Sequence, residues 1–179
     1  MKNVWQGRLK APKFIADSNV GKLARRLRML GFDALYIHPI ADDLLVEIAQ
    51  LENRVILTRD TYIFHRRVVF DGQVPAVMIT HDDVRDQVRQ VLRELVLGPP
   101  FPLFSRCLEC NAPLRPLGRE QAESLVPPYV YRTQREFTIC PRCGRVYWAG
   151  THRQHMLEEV ESLGGEPDGT LPPEETEEE

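Results

Sequence analysis

The chain has 179 residues, 42% of them hydrophobic, which is enough for one medium domain and a small appended one. No apolar run approaches the length of a membrane span, so we expect no membrane insertion. The net charge of −3 reflects the last residues, because seven of the 26 acids and none of the 23 bases lie in 166–179. The remaining 19 acids against 23 bases give residues 1–165 a net charge of +4, which permits a polyanionic partner.

Short apolar segments alternate with amphipathic segments through the first hundred residues. Strands are predicted at 14–16, 34–37, 55–58 and 77–80. The first helix is predicted at 21–30 and ends at Gly31. A second helix is predicted to begin after Asp42 or Asp43, one of which caps it, and a third is predicted at 84–97. The buried face of the second helix is expected to be Leu44, Ile48 and Leu51. This alternation predicts an α/β fold with a parallel sheet covered on both faces.

Composition predicts five regions. Residues 1–12 form a lead-in, 13–98 the α/β domain, and 99–102 a stiff linker within the run Gly98-Pro99-Pro100-Phe101-Pro102. The next region, 103–164, holds a small cysteine-containing module and a last helix from His152 to Leu163. The acidic, Gly- and Pro-rich residues 165–179 are expected to be disordered.

All four cysteines fall in two Cys-x-x-Cys pairs, Cys107/Cys110 and Cys140/Cys143. Four thiolates at this spacing suit one tetrahedral ion, and we expect a closed, structural Zn²⁺ site. The residues after the pairs are Asn111 and Gly144, the two types that best tolerate a left-handed backbone. The 29 residues between the pairs require a loop or an extra hairpin.

Two disulfides, four free thiols or a redox pair are the alternatives to zinc. No secretory signal is recognised, so we expect a cytoplasmic location, where disulfides are uncommon. Two copies of the motif with knuckle-like flanks argue against a redox role.

Acidic residues follow the predicted strands, at the edge where open parallel sheets form their sites. Asp17 follows the first strand and Asp60 the third, and the other candidates are Asp42, Asp43, Asp82 and Asp83. Converging carboxylates favour hard cations such as Mg²⁺ or Mn²⁺. Each acid has an ordinary alternative: Asp42, Asp43, Asp82 and Asp83 as helix caps, Asp17 in a turn, and Asp60 paired with Arg59 or Arg66.

The first predicted helix has a basic face, formed by Lys22, Arg25, Arg26 and Arg28. It begins four to five residues after Asp17, so these cations and the N–H groups near Gly21 can face a phosphate at the same edge. A solvated helix face is the alternative.

Residues 14–33, Phe-Ile-Ala-Asp-Ser-Asn-Val-Gly-Lys-Leu-Ala-Arg-Arg-Leu-Arg-Met-Leu-Gly-Phe-Asp, resemble the opening of a known family. The family is the PIN-fold ribonucleases named after the C-terminal domain of the Mut-seven exonuclease. Three further segments match in order, so that the resemblance spans about 14–156: residues 42–45, residues 56–60 and residues 140–152.

The resemblance implies a PIN-like three-layer α/β/α domain followed by a zinc ribbon. By position, Asp17 resembles the first metal-binding acid, Asp42 or Asp43 the second and Asp60 the third, and Thr58 would orient a carboxylate by hydrogen bonding. The fourth acid would be Asp82 or Asp83. This chain has Ser18-Asn19-Val20 where Gly-Met-Leu is more usual, and Asn19 would add an oxygen ligand or cap the helix.

The function expected from these features is Mg²⁺- or Mn²⁺-dependent hydrolysis of RNA, expected to be single-stranded, with structural zinc in the ribbon. Substrate binding is assigned to Lys22, Arg25, Arg26 and Arg59, and Tyr147, Trp148 or Arg142 of the ribbon would contact bases. Core packing is the alternative for Tyr147 and Trp148. A non-catalytic RNA-binding or adaptor protein with a degenerate cleft is the competing function, and a toxin-like PIN nuclease is a third.

Overall fold

The computed structural model describes residues 12–149. The predicted lead-in, the helix from His152 and the acidic tail lie outside the described residues. Between residues 12 and 149 the elements run in chain order as β1 (Lys13–Ala16), α1 (Gly21–Met29), β2 (Ala34–Tyr36), α2 (Asp42–Leu51), β3 (Arg54–Thr58), α3 (Arg67–Phe70), β4 (Ala76–Met78), α4 (Val84–Glu94), β5 (Arg115–Leu117), α5 (Arg119–Ala122), α6 (Pro128–Thr133), β6 (Phe137–Ile139) and β7 (Val146–Trp148). Two 3₁₀ turns, Ser18–Val20 and Thr61–His65, follow β1 and β3.

A parallel sheet with the strand order β2-β1-β3-β4 forms the first part of the molecule. Its central strands are buried on both faces, which is why they read as continuous apolar runs. Phe14, Val55 and Leu57 join α1 and α4 in one hydrophobic core, while Ile15 and Ile56 join α2 and α3 in the other. The predicted α/β class with a parallel sheet is confirmed.

Helix α1 ends because Gly31 adopts a left-handed backbone with φ 89°, as its position after the helix predicts. The same glycine allows a close approach of the chain beyond α4. A Cβ atom at position 31 would lie 2.2 Å from the carbonyl oxygen of Pro102. Next to it, Phe101 is 3% exposed and belongs to the core of the α/β part, although the sequence places it in the linker.

The prediction for helix α2 is wrong in two respects. The helix buries Leu45, Val46 and Ala49, whereas the predicted Leu51 is 73% exposed. Its N-cap position is Ala41 without a side-chain hydrogen bond, so Asp42 and Asp43 are the first two helical residues and neither caps it. The segment is apolar on more than one face, and packing against β1 and β3 of the sheet selects the buried one.

Three further details differ from the prediction. The fourth strand ends at Met78, the fourth helix ends at Glu94, and the basic stretch after Asp60 contains the short helix α3. The insertion between the cysteine pairs contains the antiparallel strands β5 and β6, as the expected extra hairpin requires. The connection between the two strands contains α5 and α6, which close over a small core formed by Ala122, Val126 and Phe137.

Candidate active site and zinc site

Asp17 and Asp60 lie at the carboxyl ends of two adjacent central strands. Asp17 directly follows β1, and its backbone N–H donates to the carbonyl of Leu57 in β3 over 2.9 Å. The chain leaves β1 toward α1 on one face of the sheet, and leaves β3 toward α3 on the other. The two acids therefore flank the point where the connections diverge, which is where open α/β sheets bind ligands.

The carboxylate of Asp17 is buried and held only by neutral donors. Oδ2 accepts hydrogen bonds from the hydroxyl of Thr58 at 2.6 Å and from Nδ2 of Asn19 at 2.8 Å. Oδ1 accepts the backbone N–H of Ser18, which caps the 3₁₀ turn. Asp17 is 8% exposed and has no ion pair among the described residues. The three donors therefore orient the Asp17 carboxylate, but no basic side chain of residues 12–149 neutralises it.

Thr58 joins this carboxylate to Asp60. Its donation to Asp17 confirms the predicted hydrogen bond to a carboxylate. Thr58 is fully buried, and its hydroxyl also accepts the backbone N–H of Asp60 at 2.9 Å. Asp60 in turn accepts the N–H of Tyr62 on Oδ1 at 2.8 Å. Asn19 makes a parallel link, because its Oδ1 accepts the N–H of Arg59 at 3.3 Å.

The other acidic candidates have different surroundings. Asp83 is the N-cap of α4 and accepts the N–H groups of Arg85 and Asp86, as its ordinary alternative predicts. Asp82 is an exposed side chain, 90% accessible, that pairs with Arg59 at 2.7 Å. Asp60 does not pair with Arg59 or Arg66.

Asp42 and Asp43, at the start of α2, also differ from each other in their surroundings. Asp43 pairs with Arg66 at 2.7 Å, while Asp42 is half-buried with no hydrogen bond or ion pair among residues 12–149. Within the described part of the chain, no three carboxylates bring their oxygen atoms within 4.8 Å of one another. The structure therefore links Asp17 to Asp60 through Thr58, but it does not gather all the predicted acids into one tight cluster.

The basic residues of α1 do not form one solvent-facing row. Lys22 is exposed, and Arg25 pairs with Glu109 at 2.6 Å. Arg26 is half-buried, and its Nη1 lies 3.9 Å from the sulfur of Met29. Arg28 is only 4% exposed, which corrects its placement on the open basic face.

The four cysteines meet as the sequence predicts. Their sulfur atoms all lie within 4.8 Å of one another, with Cys107 and Cys143 3.6 Å apart and Cys110 and Cys140 3.3 Å apart. A tetrahedral site with Zn–S bonds of about 2.3 Å requires sulfurs roughly 3.8 Å apart, so this donor set fits zinc. The cluster can bind a metal ion, and thiolate ligands favour zinc.

Both cysteine turns have the local geometry of a metal knuckle. Asn111 and Gly144 have φ angles of 68° and 72°, which confirms the left-handed backbone expected after each pair. The N–H of Asn111 donates to the carbonyl of Cys107, and that of Gly144 donates to the carbonyl of Cys140. The strands β5, β6 and β7 form an antiparallel sheet, and the second cysteine turn connects β6 to β7. The first cysteine turn lies between Arg106 and Pro113, which form an antiparallel bridge of their own.

The thiols of the cluster have opposite protonation tendencies. Burial raises the pKa of Cys107, but hydrogen bonds from Tyr147 and from the backbone of Cys110 and Glu109 outweigh burial and lower this pKa to about 6. Burial and hydrogen bonding with the other thiols raise the pKa of Cys110 to about 12. The four thiols therefore cannot all ionise near neutral pH without a cation, and metal binding must release protons.

Tyr147 belongs to the cysteine cluster and not to an open RNA-binding face. Its hydroxyl lies 3.1 Å from the sulfur of Cys107 and accepts the N–H of Leu108 at 3.3 Å. Its ring packs against the core of the α/β part. The packing alternative therefore holds for Tyr147, while Trp148 remains 36% exposed.

The model of the Mut7-C RNase domain matches residues 12–160 of this chain. The chain belongs to the Mut7-C RNase domain family. The match covers the α/β part, the cysteine module and all the residues described above, so the suspected resemblance is confirmed. Searches of curated proteins and of solved structures found no match. Membership assigns the chain to ribonuclease chemistry in general, with RNA as the substrate.

Three residues of this Mut7-C domain have roles that the sequence did not reveal. Asn19 accepts the backbone N–H of Arg59 on its side-chain oxygen and caps no helix, because the N-cap positions are Asp17 and Val20. Asn111 contributes a side chain as well as a left-handed backbone, because its Oδ1 accepts the N–H of Ala34 and its Nδ2 donates to Asp33. Arg28 contacts the first cysteine turn. All three contacts are long-range, so no local sequence pattern could have indicated them.

Within residues 12–149, no helix combines the length and apolar composition needed to cross a bilayer.

Proposed function

We propose that this chain hydrolyses RNA phosphodiester bonds with one or two Mg²⁺ or Mn²⁺ ions bound at the edge of the sheet near Asp17 and Asp60. The observation that carries the proposal is the buried Asp17 carboxylate, which three neutral donors orient without neutralising it. A buried, ionised carboxylate is costly unless a cation compensates it.

The available donors fit a hard cation. Mg²⁺ prefers oxygen ligands and keeps several of its waters, so one or two carboxylates suffice as protein ligands. Asp17 and Asp60 supply these from adjacent strands, and Asp42 supplies another from the neighbouring position after β2. This ligand set does not require all the acids within 4.8 Å of one another, and Asp83 is better explained as a helix cap.

Each residue of the site has a defined task in the proposed reaction. Asp17 and Asp60 hold the ion, and Thr58 fixes their relative positions through its two hydrogen bonds. When bound, the ion supplies Lewis-acid stabilisation of the phosphodiester and a water of lowered pKa. Lys22, exposed in the first turn of α1, holds a backbone phosphate together with the N–H groups of that turn.

The ribbon is proposed to extend the RNA-binding surface and to hold zinc as a structural ion. Trp148 is accessible for stacking, and Arg142 is exposed in the second cysteine turn. Such contacts require unpaired bases, so the proposed substrate is single-stranded RNA.

The test is cleavage of a single-stranded RNA and of a hairpin of the same length with Mg²⁺, Mn²⁺ or EDTA. Asp17→Asn and Asp60→Asn are expected to lose activity by at least about 100-fold. Asp83→Asn is the matched control, because asparagine also caps helices well and its activity should stay near wild type. Full activity in EDTA, or an active Asp17→Asn, would defeat the proposal.

Binding measured in parallel separates the competing function. If the wild type binds RNA tightly yet cleaves no substrate with any ion, the chain is a non-catalytic RNA-binding protein. The observation that favours this second function is the position of Asp82, whose side chain is 90% exposed and faces solvent.

A further inference from the structure

Arg28 is a buried cation without a carboxylate partner among the described residues. It lies in the last turn of α1 and is 4% exposed. Its Nε donates to the carbonyl of Ala34 at 2.8 Å, at the start of β2. No ion pair joins it to an aspartate or glutamate within residues 12–149. A buried guanidinium is stable only where acceptors and negative charge compensate it.

The remaining acceptors of Arg28 belong to the first cysteine turn. Nη1 donates to the carbonyls of Leu108 and Glu109 at 2.9 Å each. These are the two residues between Cys107 and Cys110, so the guanidinium holds the backbone loop that presents two of the four sulfurs. Burial lowers the pKa of Arg28, while the nearby thiols of Cys107 and Cys110 and the carboxylates of Glu109 and Asp33 oppose this shift.

We propose that Arg28 is the outer-sphere cation of the zinc site and that it ties zinc binding to helix α1. The inference rests on zinc as the occupant of the cysteine cluster. A Zn²⁺ ion with four thiolates would retain a formal double negative charge, and this charge would attract the buried guanidinium that binds the backbone of the first cysteine turn. Partners of this kind orient metal ligands and contribute to metal affinity.

The connection extends to the aspartate site through α1 itself. The helix begins at Gly21, four residues after Asp17, and it carries Arg28 at its other end. Asn111, the residue after Cys110, makes a second link. Its Oδ1 accepts the N–H of Ala34, and its Nδ2 donates to the carboxylate of Asp33. The first cysteine turn therefore supports both the end of α1 and the start of β2.

The first experiment measures zinc transfer from the full chain to a chromophoric chelator. We expect zinc to leave Arg28→Met faster than wild type by about 10-fold or more, the effect typical of lost outer-sphere partners. Arg142→Met is the matched control, since Arg142 lies between Cys140 and Cys143 but is exposed. Its zinc should leave within about twofold of the wild-type rate. Should Arg28→Met fail to fold, Arg28→Lys is compared with Arg142→Lys, because lysine lacks the fork that reaches three carbonyls.

The outcomes distinguish the assumption that the cysteines bind zinc from the proposed role of Arg28. A wild-type chain that binds no zinc would defeat the zinc assignment and this inference together. Zinc that is bound, but leaves the Arg28 and Arg142 variants at the same rate, would overturn only the role of Arg28.

The second experiment is hydrogen exchange on the wild-type chain before and after zinc removal. The amides of α1 should lose protection together with residues 107–111, whereas α2 on the opposite face of the sheet should keep its protection. Unchanged protection of α1 would overturn the proposed connection, whatever happens in the ribbon.

Discussion

Replacing Thr58 by valine tests whether the hydroxyl positions the aspartates. Valine keeps the shape of the side chain but removes both hydrogen bonds, the donation to Asp17 at 2.6 Å and the acceptance from the Asp60 N–H at 2.9 Å. A hydrogen bond to a charged group contributes about 1.5–3 kcal/mol, and an unsatisfied partly buried N–H costs about 1 kcal/mol or more. We therefore expect Thr58→Val to lower the free energy of unfolding by about 2–4 kcal/mol.

Thr58→Ser is the matched control, because serine keeps the hydroxyl and loses only a buried methyl group. The expected loss of stability is about 1 kcal/mol. Both free energies can be measured by urea unfolding followed by circular dichroism.

The activity of the two variants should differ more than their stability. Loss of a group that orients a metal ligand typically lowers metal affinity or activity by about 10–100-fold. We expect Thr58→Val to show a loss of kcat/KM in this range and to need more Mn²⁺ for half-maximal cleavage, while Thr58→Ser stays within a few-fold of wild type. If both variants are folded at the assay temperature and share one Mn²⁺ midpoint, Thr58 has no positioning role and its hydrogen bonds only stabilise the fold.

Three further predictions concern Asn19, Asp33 and Cys110. Asn19→Ala should lower cleavage several-fold with a stability change below about 1 kcal/mol, since the residue is exposed yet donates to Asp17; a rate equal to wild type would argue against this link. Burial raises the pKa of Asp33, but hydrogen bonds from Arg54 and Asn111 outweigh burial and hold this pKa below its ordinary 3.8. Asp33 therefore stabilises the fold above about pH 4, and this contribution disappears as the pH falls through the folded-state pKa, so in acid unfolding curves Asp33→Asn should lose stability at neutral pH and be less sensitive to acid than wild type. Cys110→Ser should abolish stoichiometric zinc in elemental analysis and lower the melting temperature; full zinc content would contradict the four-thiolate site.

The features that could be predicted from the sequence are those fixed by local chemistry. Asn111 and Gly144 follow their cysteine pairs, and only a left-handed residue fits there, so their φ angles were predictable without the fold. Gly31 ends α1 for the same reason. The positions of Asp17 and Asp60 at one edge were predictable indirectly. Short buried strands imply a parallel sheet, and the carboxyl ends of parallel strands lie at one edge of it.

The features that could not be predicted depend on contacts between distant parts of the chain. Helix α2 is apolar on more than one face, and its buried side is decided by the sheet below it. Arg28 looks like its basic neighbours in sequence, yet two of its three acceptors lie 80 and 81 positions away. Tyr147 is similar, because an aromatic residue on a short strand predicts stacking or packing equally well until Cys107 is found beside its hydroxyl.

The ion pairs of the basic side chains decide which of them can serve RNA. Arg25 and Arg59 are already paired with Glu109 and Asp82, but all four of these side chains are between 38% and 90% exposed. Exposed pairs of this kind contribute about 0–1 kcal/mol, so a phosphate can replace the carboxylate at little cost. Arg28 is the opposite case. If its guanidinium moved away from the carbonyl acceptors, buried polar groups would be left without partners, at a cost of about 1–3 kcal/mol for each lost hydrogen bond. The same arginine-rich helix can therefore offer its exposed residues to RNA while keeping Arg28 on the cysteine turn throughout.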